Sequence, residues 1–146
     1  MKKIAFAVTF IGGLLLSLNS AAQSPEHQIA EQVCNCSQTL IEYNLSPALK
    51  NIVISKLTAA SEEEFQKNLV LYITNNQEQA AREFQLIESM SNPESPYSRC
   101  LLKTQMSFPN IDINSAQMQQ FIMVELYEMG CEFSSALISF GQSVKP

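Results

Sequence analysis

The chain has 146 residues, of which 46% are hydrophobic, and its 14 acidic and 9 basic residues give a net charge of −5. This apolar content argues against intrinsic disorder. The negative charge disfavours binding to nucleic acid or to an anionic lipid surface. A chain of this length is sufficient for one domain with one hydrophobic core.

Residues 1–22 have the three parts of a secretory signal peptide. Lys2 and Lys3 form a charged start, an apolar run follows over residues 4–18, and Ser20-Ala21-Ala22 forms a small-residue cleavage site. The apolar run of about 15 residues is shorter than the roughly 20 that a transmembrane helix needs. We therefore expect cleavage near Ala22 and no membrane span.

The protein that remains after cleavage is expected to be one helical domain over residues 23–146. Loss of two lysines leaves 7 basic and 14 acidic residues, so the net charge falls to −7. Such a charge suits solubility or a basic partner. The expected location is the periplasm or the extracellular medium.

Five serines predict the starts of helices. A serine N-cap is followed by proline at three of these positions, and proline is well tolerated at the first position of a helix. The fourth serine begins the Ser-Glu-Glu-Glu sequence of a capping box. The five serines are Ser24, Ser46, Ser61, Ser95 and Ser115.

These starts predict an all-α fold, a compact bundle of about five helices. The predicted helices cover residues 25–44, 47–59, 62–90, 96–106 and 115–140. Asn75-Asn76-Gln77 is a candidate break in the third helix. Gly130 in the fifth helix indicates either a kink or the close approach of another helix. No long segment alternates at the period of two that strands require.

Cys34 and Cys36 lie in the first predicted helix, separated by one residue. Residues two apart on a helix point about 200° away from each other. Their sulfurs therefore cannot bond to each other or meet on one tetrahedral metal ion. Each is expected to form a disulfide with either Cys100 or Cys131, and the sequence leaves both pairings open. Export to an oxidising compartment favours such disulfides over free thiols.

Few residues of the chain are suited to catalysis. His27 is the only histidine, and its place in the first turn of the first helix predicts a solvated side chain. The sequence contains no glycine-rich phosphate loop, no GxSxG elbow and no HExxH or CxxCH motif. We therefore predict that the protein is not an enzyme and has no metal site or cofactor.

The last predicted helix offers a candidate binding patch. Glu125, Glu128 and Glu132 have a spacing that places them on one face of a continuous helix, and Met118 and Phe121 fall beside them. These five residues are expected to form an apolar patch with an acidic rim. Such a patch suits a basic protein partner.

The leading functional hypothesis is a non-enzymatic exported protein that binds another protein, as an inhibitor or immunity-type factor of a bacterial envelope. The hypothesis depends on the scarcity of catalytic residues, the acidic charge and the two expected disulfides, which would preorganise a binding surface. One alternative is a carrier of a small apolar ligand between its helices. The other is a thiol/disulfide or metal-binding protein that uses Cys34 and Cys36.

Overall fold

The computed structural model describes residues 23–59 and 61–143, so the signal peptide predicted over residues 1–22 lies outside the described residues. The described residues form seven α-helices and one short 3₁₀ helix, Glu42–Asn44, and contain no β-strand. The all-α class is therefore confirmed, although the number of helices exceeds the five predicted. The α-helices are α1 (Pro25–Leu40), α2 (Pro47–Ser55), α3 (Glu62–Asn75), α4 (Gln77–Ser89), α5 (Pro96–Ser107), α6 (Ala116–Glu128) and α7 (Glu132–Ser143).

All five predicted serine N-caps are present. In each, the serine hydroxyl accepts a hydrogen bond from a backbone N–H three residues later, and each such cap contributes about 1 kcal/mol to helix stability. The pairs are Ser24 with His27, Ser46 with Leu49, Ser61 with Glu64, Ser95 with Ser98, and Ser115 with Met118.

The predicted third helix is broken at Asn76, which ends α3 and begins α4. The Asn76 backbone N–H and its side-chain amide both donate to the Tyr72 carbonyl, each at 3.0 Å. Its own carbonyl accepts from the Ala80 N–H at 2.8 Å. Since its φ and ψ of −135° and 45° are not helical, the chain cannot continue straight through this residue.

The predicted fifth helix is broken at Gly130, which separates α6 from α7. Gly130 has a φ of +81°, a conformation that side chains disfavour. Its N–H donates to the Tyr127 carbonyl at 3.1 Å, and the Cys131 N–H donates to the Leu126 carbonyl at 2.7 Å. This pair of bonds is a Schellman motif, the common glycine-dependent end of a helix. These two breaks raise the number of helices from about five to seven.

The first two helices also end earlier than predicted. Helix α1 ends at Leu40, and the last residues predicted to belong to it form the separate 3₁₀ helix Glu42–Asn44. After α2 ends at Ser55, hydrogen-bonded turns continue over residues 56–59.

Helix α1 lies at the centre of the fold and packs against α5, α6 and α7. Helix α2 packs against α7 and α3, and α4 follows α3 as the second half of a helical hairpin. Two apolar clusters result. One surrounds Leu49 and Phe133, and the other surrounds Ile29, Ile122 and Leu126.

Both disulfides connect α1 to another part of the bundle. Cys34 bonds to Cys131 at the start of α7, with a Cα–Cα distance of 5.8 Å. Cys36 bonds to Cys100 in α5, with a Cα–Cα distance of 5.9 Å. The structure thus supports the expected disulfides and selects one of the two pairings left open by the sequence. Within the described residues, every helix is too short or too polar to span a membrane.

Candidate functional site

The structure brings only part of the predicted patch to the surface. Phe121 is 50% exposed, and Glu128 is exposed on the same helix, α6. Met118 is half-buried and packs against the apolar cluster around Ile122. Met118 therefore packs between α6 and the apolar core and offers little surface to a partner.

Glu125 also differs from the prediction, because it faces His27. The His27 Nδ1 and Glu125 Oε2 atoms are 2.8 Å apart, and the two side chains are 33% and 30% exposed. His27, which was expected to be solvated, instead joins the start of α1 to α6. This contact occupies Glu125, so it is less available to a partner than the prediction requires.

The continuous acidic face predicted for Glu125, Glu128 and Glu132 is not formed, because the helix ends before Glu132. Glu132 begins α7 after the turn at Gly130. Ser135, one turn further along α7, is buried and donates its hydroxyl to the Met123 carbonyl at 2.9 Å. The error arises from treating residues 115–140 as one helix.

An exposed apolar stripe on α6 takes the place of the predicted patch. We use the name α6 stripe for Phe121, Val124 and Tyr127, which are 50%, 48% and 50% exposed. At three-residue intervals they lie within about 120° of one another around the helix. Val124 and Tyr127 were not among the predicted patch residues, although their spacing from Phe121 could have indicated a shared surface.

A groove of about 280 Å³ lies beside the α6 stripe. Val124, Tyr127 and Glu128 form one wall, and Leu57 and Thr58, which follow α2, form the other. The stripe therefore forms one side of a concave surface, to which the groove adds apolar area from Leu57. Concave apolar surfaces of this kind are common at binding sites.

The charge around this groove is negative. Residues 104–144 contain no lysine or arginine, whereas they contain one aspartate and three glutamates. Lys56, next to Leu57 in the chain, forms an ion pair with Glu62 and lies 5.2 Å from the centre of the Phe65 ring. The positive charge of Lys56 is thus paired, and among the described residues that line the groove Glu128 carries the charge.

A buried carboxylate joins α4 to the start of α2. Glu83 is 5% exposed, and its Oε1 accepts hydrogen bonds from the Ser46 N–H at 2.7 Å and from the Gln79 Nε2 at 3.2 Å. Its Oε2 accepts a hydrogen bond from the Tyr72 hydroxyl. In a capping box, the bond to the N-cap N–H comes from a glutamate of the same helix. Here a glutamate of another helix supplies it.

Burial and hydrogen bonding shift the pKa of this carboxylate in opposite directions. Burial raises the pKa of Glu83, but the hydrogen bonds from Tyr72, Ser46 and Gln79 together outweigh it and hold the pKa below its ordinary value. Burial and the hydrogen bond to Glu83 raise the pKa of Tyr72. Glu83 is therefore ionised and Tyr72 neutral at pH 7. This cluster fixes the start of α2 to α3 and α4.

The cysteine arrangement gives no support to thiol chemistry at Cys34 and Cys36. Their side chains are 7% and 2% exposed, and each is bonded to a separate distant cysteine. Among the described residues, no three histidine, cysteine, aspartate or glutamate side chains form a group able to hold a metal ion.

Comparison of the chain with protein-family models, with curated proteins and with solved structures found no match. The α6 stripe and its groove therefore have to be interpreted from their own chemistry.

Proposed function

We propose that this protein is an exported, non-enzymatic binding module that recognises another protein through the α6 stripe. The proposal depends on one observation: three large apolar side chains lie in one row on α6, and each is about half exposed. Exposed aromatic residues that lie together, beside a groove, are typical of protein-binding surfaces. The role proposed for this binding is that of an inhibitor or immunity-type factor in a bacterial envelope.

The shape of the surface suggests how the partner is held. Phe121 and Tyr127 offer aromatic area at the two ends of the stripe, and Val124 lies between them. A partner side chain can enter the groove between Val124 and Leu57. Aromatic residues contribute most of the binding free energy in many interfaces, because they bury a large area while few rotatable bonds are fixed.

The charge of the surface suggests the chemistry of the partner. Glu128 is exposed at the groove, and α6 contains no lysine or arginine. An apolar partner segment with flanking lysine or arginine residues fits this surface best. The negative charge would speed association and favour basic partners over acidic ones.

Export is part of the proposal. Residues 1–22 resemble a secretory signal peptide, and two disulfides suit an oxidising compartment. The disulfides also hold α1, α5 and α7 in fixed positions, so little conformational freedom would be lost on binding. Such preorganisation increases affinity.

Photo-crosslinking in the native host tests the proposal. A photoreactive phenylalanine analogue replaces Tyr127 in one variant of the full chain and Leu71 in another. Leu71 on α3 is the matched control, because it is 51% exposed and Tyr127 is 50% exposed. We expect a single crosslinked protein from position 127 that is missing from position 71. No crosslink from position 127, or the same crosslinks from both positions, would refute the proposal.

Affinity measurements with the purified partner then test the named residues. We expect Phe121→Ala to weaken binding about 30-fold or more, as for an aromatic residue that contributes much of the binding free energy. Glu128→Lys should weaken binding by slowing association. Leu71→Ala should leave the Kd unchanged. Equal effects of Phe121→Ala and Leu71→Ala would place the interface elsewhere.

A further inference from the structure

A second candidate site is a cavity between α5 and α6, away from the α6 stripe. Its volume is about 320 Å³. Leu101 and Ile122 line its sides, while Val33 of α1 and Ile138 of α7 come from the two helices behind. Ile113, in the segment that joins α5 to α6, completes the apolar lining.

The two disulfides connect chain segments that line this cavity. Val33 precedes Cys34, which is bonded to Cys131, and Leu101 follows Cys100, which is bonded to Cys36. Helices α1 and α5 are therefore linked covalently by the Cys36–Cys100 bond, which adjoins the lining residue Leu101. A cavity with fixed walls can receive a ligand without the cost of ordering the chain.

The described residues that line the cavity include no charged side chain. Its polar groups are hydroxyls and the amides of Gln105, Asn114 and Gln119. Gln105 donates its Nε2 to the Ile111 carbonyl at 3.0 Å, so its amide oxygen can accept a hydrogen bond from a ligand. Burial, together with the nearby Glu42, raises the pKa of Tyr97 to about 12, so this lining residue also stays neutral.

We propose that this cavity binds a small, neutral, mostly apolar molecule with one hydrogen-bonding group. A charged ligand would lose its hydration without finding an opposite charge, which is costly. An apolar cavity of about 150 Å³ holds one benzene molecule in another protein. The present cavity has about twice that volume and suits a ligand with two aromatic groups, with its polar group at the amides.

Two dyes that share one framework test the charge requirement. N-phenyl-1-naphthylamine is neutral, and 1-anilinonaphthalene-8-sulfonate has the same two aromatic groups with an added negative charge. We expect the neutral dye to bind with one-to-one stoichiometry and the sulfonate to bind at least tenfold more weakly, both followed by dye fluorescence. Equal affinities, or no saturable binding of the neutral dye, would refute the proposal.

Three variants test the location. Ile113→Trp should fill the cavity and weaken binding of the neutral dye at least tenfold. Leu102→Trp is a second blocking variant at the rim, where the 58% exposed side chain can be enlarged without disturbing the core. Val70→Trp on α3 is the control, because Val70 is also 58% exposed and lies outside the cavity lining.

Circular dichroism identifies the blocking variants that fold. Unchanged dye binding by a folded blocking variant would overturn the assignment. So would equal weakening of binding by Val70→Trp. Because the α6 stripe contributes no residue to this cavity, the two proposals can fail independently.

Discussion

Replacement of Glu83 tests whether a buried carboxylate fastens the start of α2 to the α3–α4 hairpin. In Glu83→Ala, the Ser46 N–H loses its acceptor, because the carboxylate 2.7 Å away is removed. Tyr72 is less affected, since its hydroxyl can turn to the Ser46 Oγ at 3.1 Å. A buried donor without a partner costs about 1–3 kcal/mol, and lost bonds to a charged group cost about as much again.

We therefore expect Glu83→Ala to lower the free energy of unfolding by about 2–6 kcal/mol. Glu83→Gln keeps one acceptor oxygen and should cost about 1–2 kcal/mol. Urea denaturation followed by far-ultraviolet circular dichroism, with the disulfides intact, measures both. Glu88→Gln is the control, because Glu88 is an exposed residue of the same helix. It should change stability by less than about 0.5 kcal/mol.

The pH dependence of the free energy of unfolding separates the contribution of the Glu83 charge from that of the side chain's shape. Because the pKa of Glu83 is lowered in the folded state, its stabilising effect is complete above the unfolded value of about 4.3 and is lost as the pH falls through the folded value. The difference in stability between wild type and Glu83→Gln should therefore shrink below about pH 4.3. A constant difference between pH 7 and pH 3, or an effect of Glu83→Ala no larger than that of Glu88→Gln, would refute the reasoning.

Two further stability predictions follow from the chain connections. Removal of either disulfide, by alanine at both Cys34 and Cys131 or at both Cys36 and Cys100, should lower the free energy of unfolding by about 2–5 kcal/mol, because the bridges span 97 and 64 residues. Urea denaturation measures this loss, and a loss of less than about 1 kcal/mol would contradict the prediction. Gly130→Ala should cost about 1–2 kcal/mol, because its φ is +81° while no atom lies within 4 Å of an added Cβ. Gly130→Asn should cost less in the same assay, and a larger cost for Asn would indicate crowding rather than backbone strain.

The helix starts could be predicted from the sequence because a serine cap is a local feature. Ser61, for example, needs only the N–H of Glu64, three residues later, to form its hydrogen bond. The opposite orientations of Cys34 and Cys36 could also be predicted, because they depend only on the geometry of the helix that contains both residues. The choice between Cys100 and Cys131 as partners depends on how the helices pack, which the sequence did not reveal.

The helix breaks and the site were harder to predict. The break at Gly130 forms through hydrogen bonds to Leu126 and Tyr127, and a glycine in a helical pattern does not by itself indicate them. Treating that region as one helix led to the wrong acidic face and placed Glu132 with Glu128. Phe121 was assigned to the surface as the structure has it, because its exposure did not depend on the break.

The role of Glu83 could not be predicted from any local pattern. Its partners Ser46 and Tyr72 are 37 and 11 residues away in the chain. In the sequence, Glu83 is one of three glutamates on α4, and no local pattern distinguishes it from the other two. Only packing of α4 against the start of α2 distinguishes it from its exposed neighbours.

The position of two cysteines on one helix has a consequence for disulfide formation. In the unfolded chain, Cys34 and Cys36 are so close that either can reach Cys100 or Cys131 almost equally well. Once α1 forms and packs, their sulfurs point to opposite sides of the helix, and a swapped isomer would require α1 to rotate by about half a turn. Formation and packing of α1 therefore select the native pairing of the two disulfides. A disulfide isomerase would find substrates among chains in which α1 has not yet docked, and few among those in which it has.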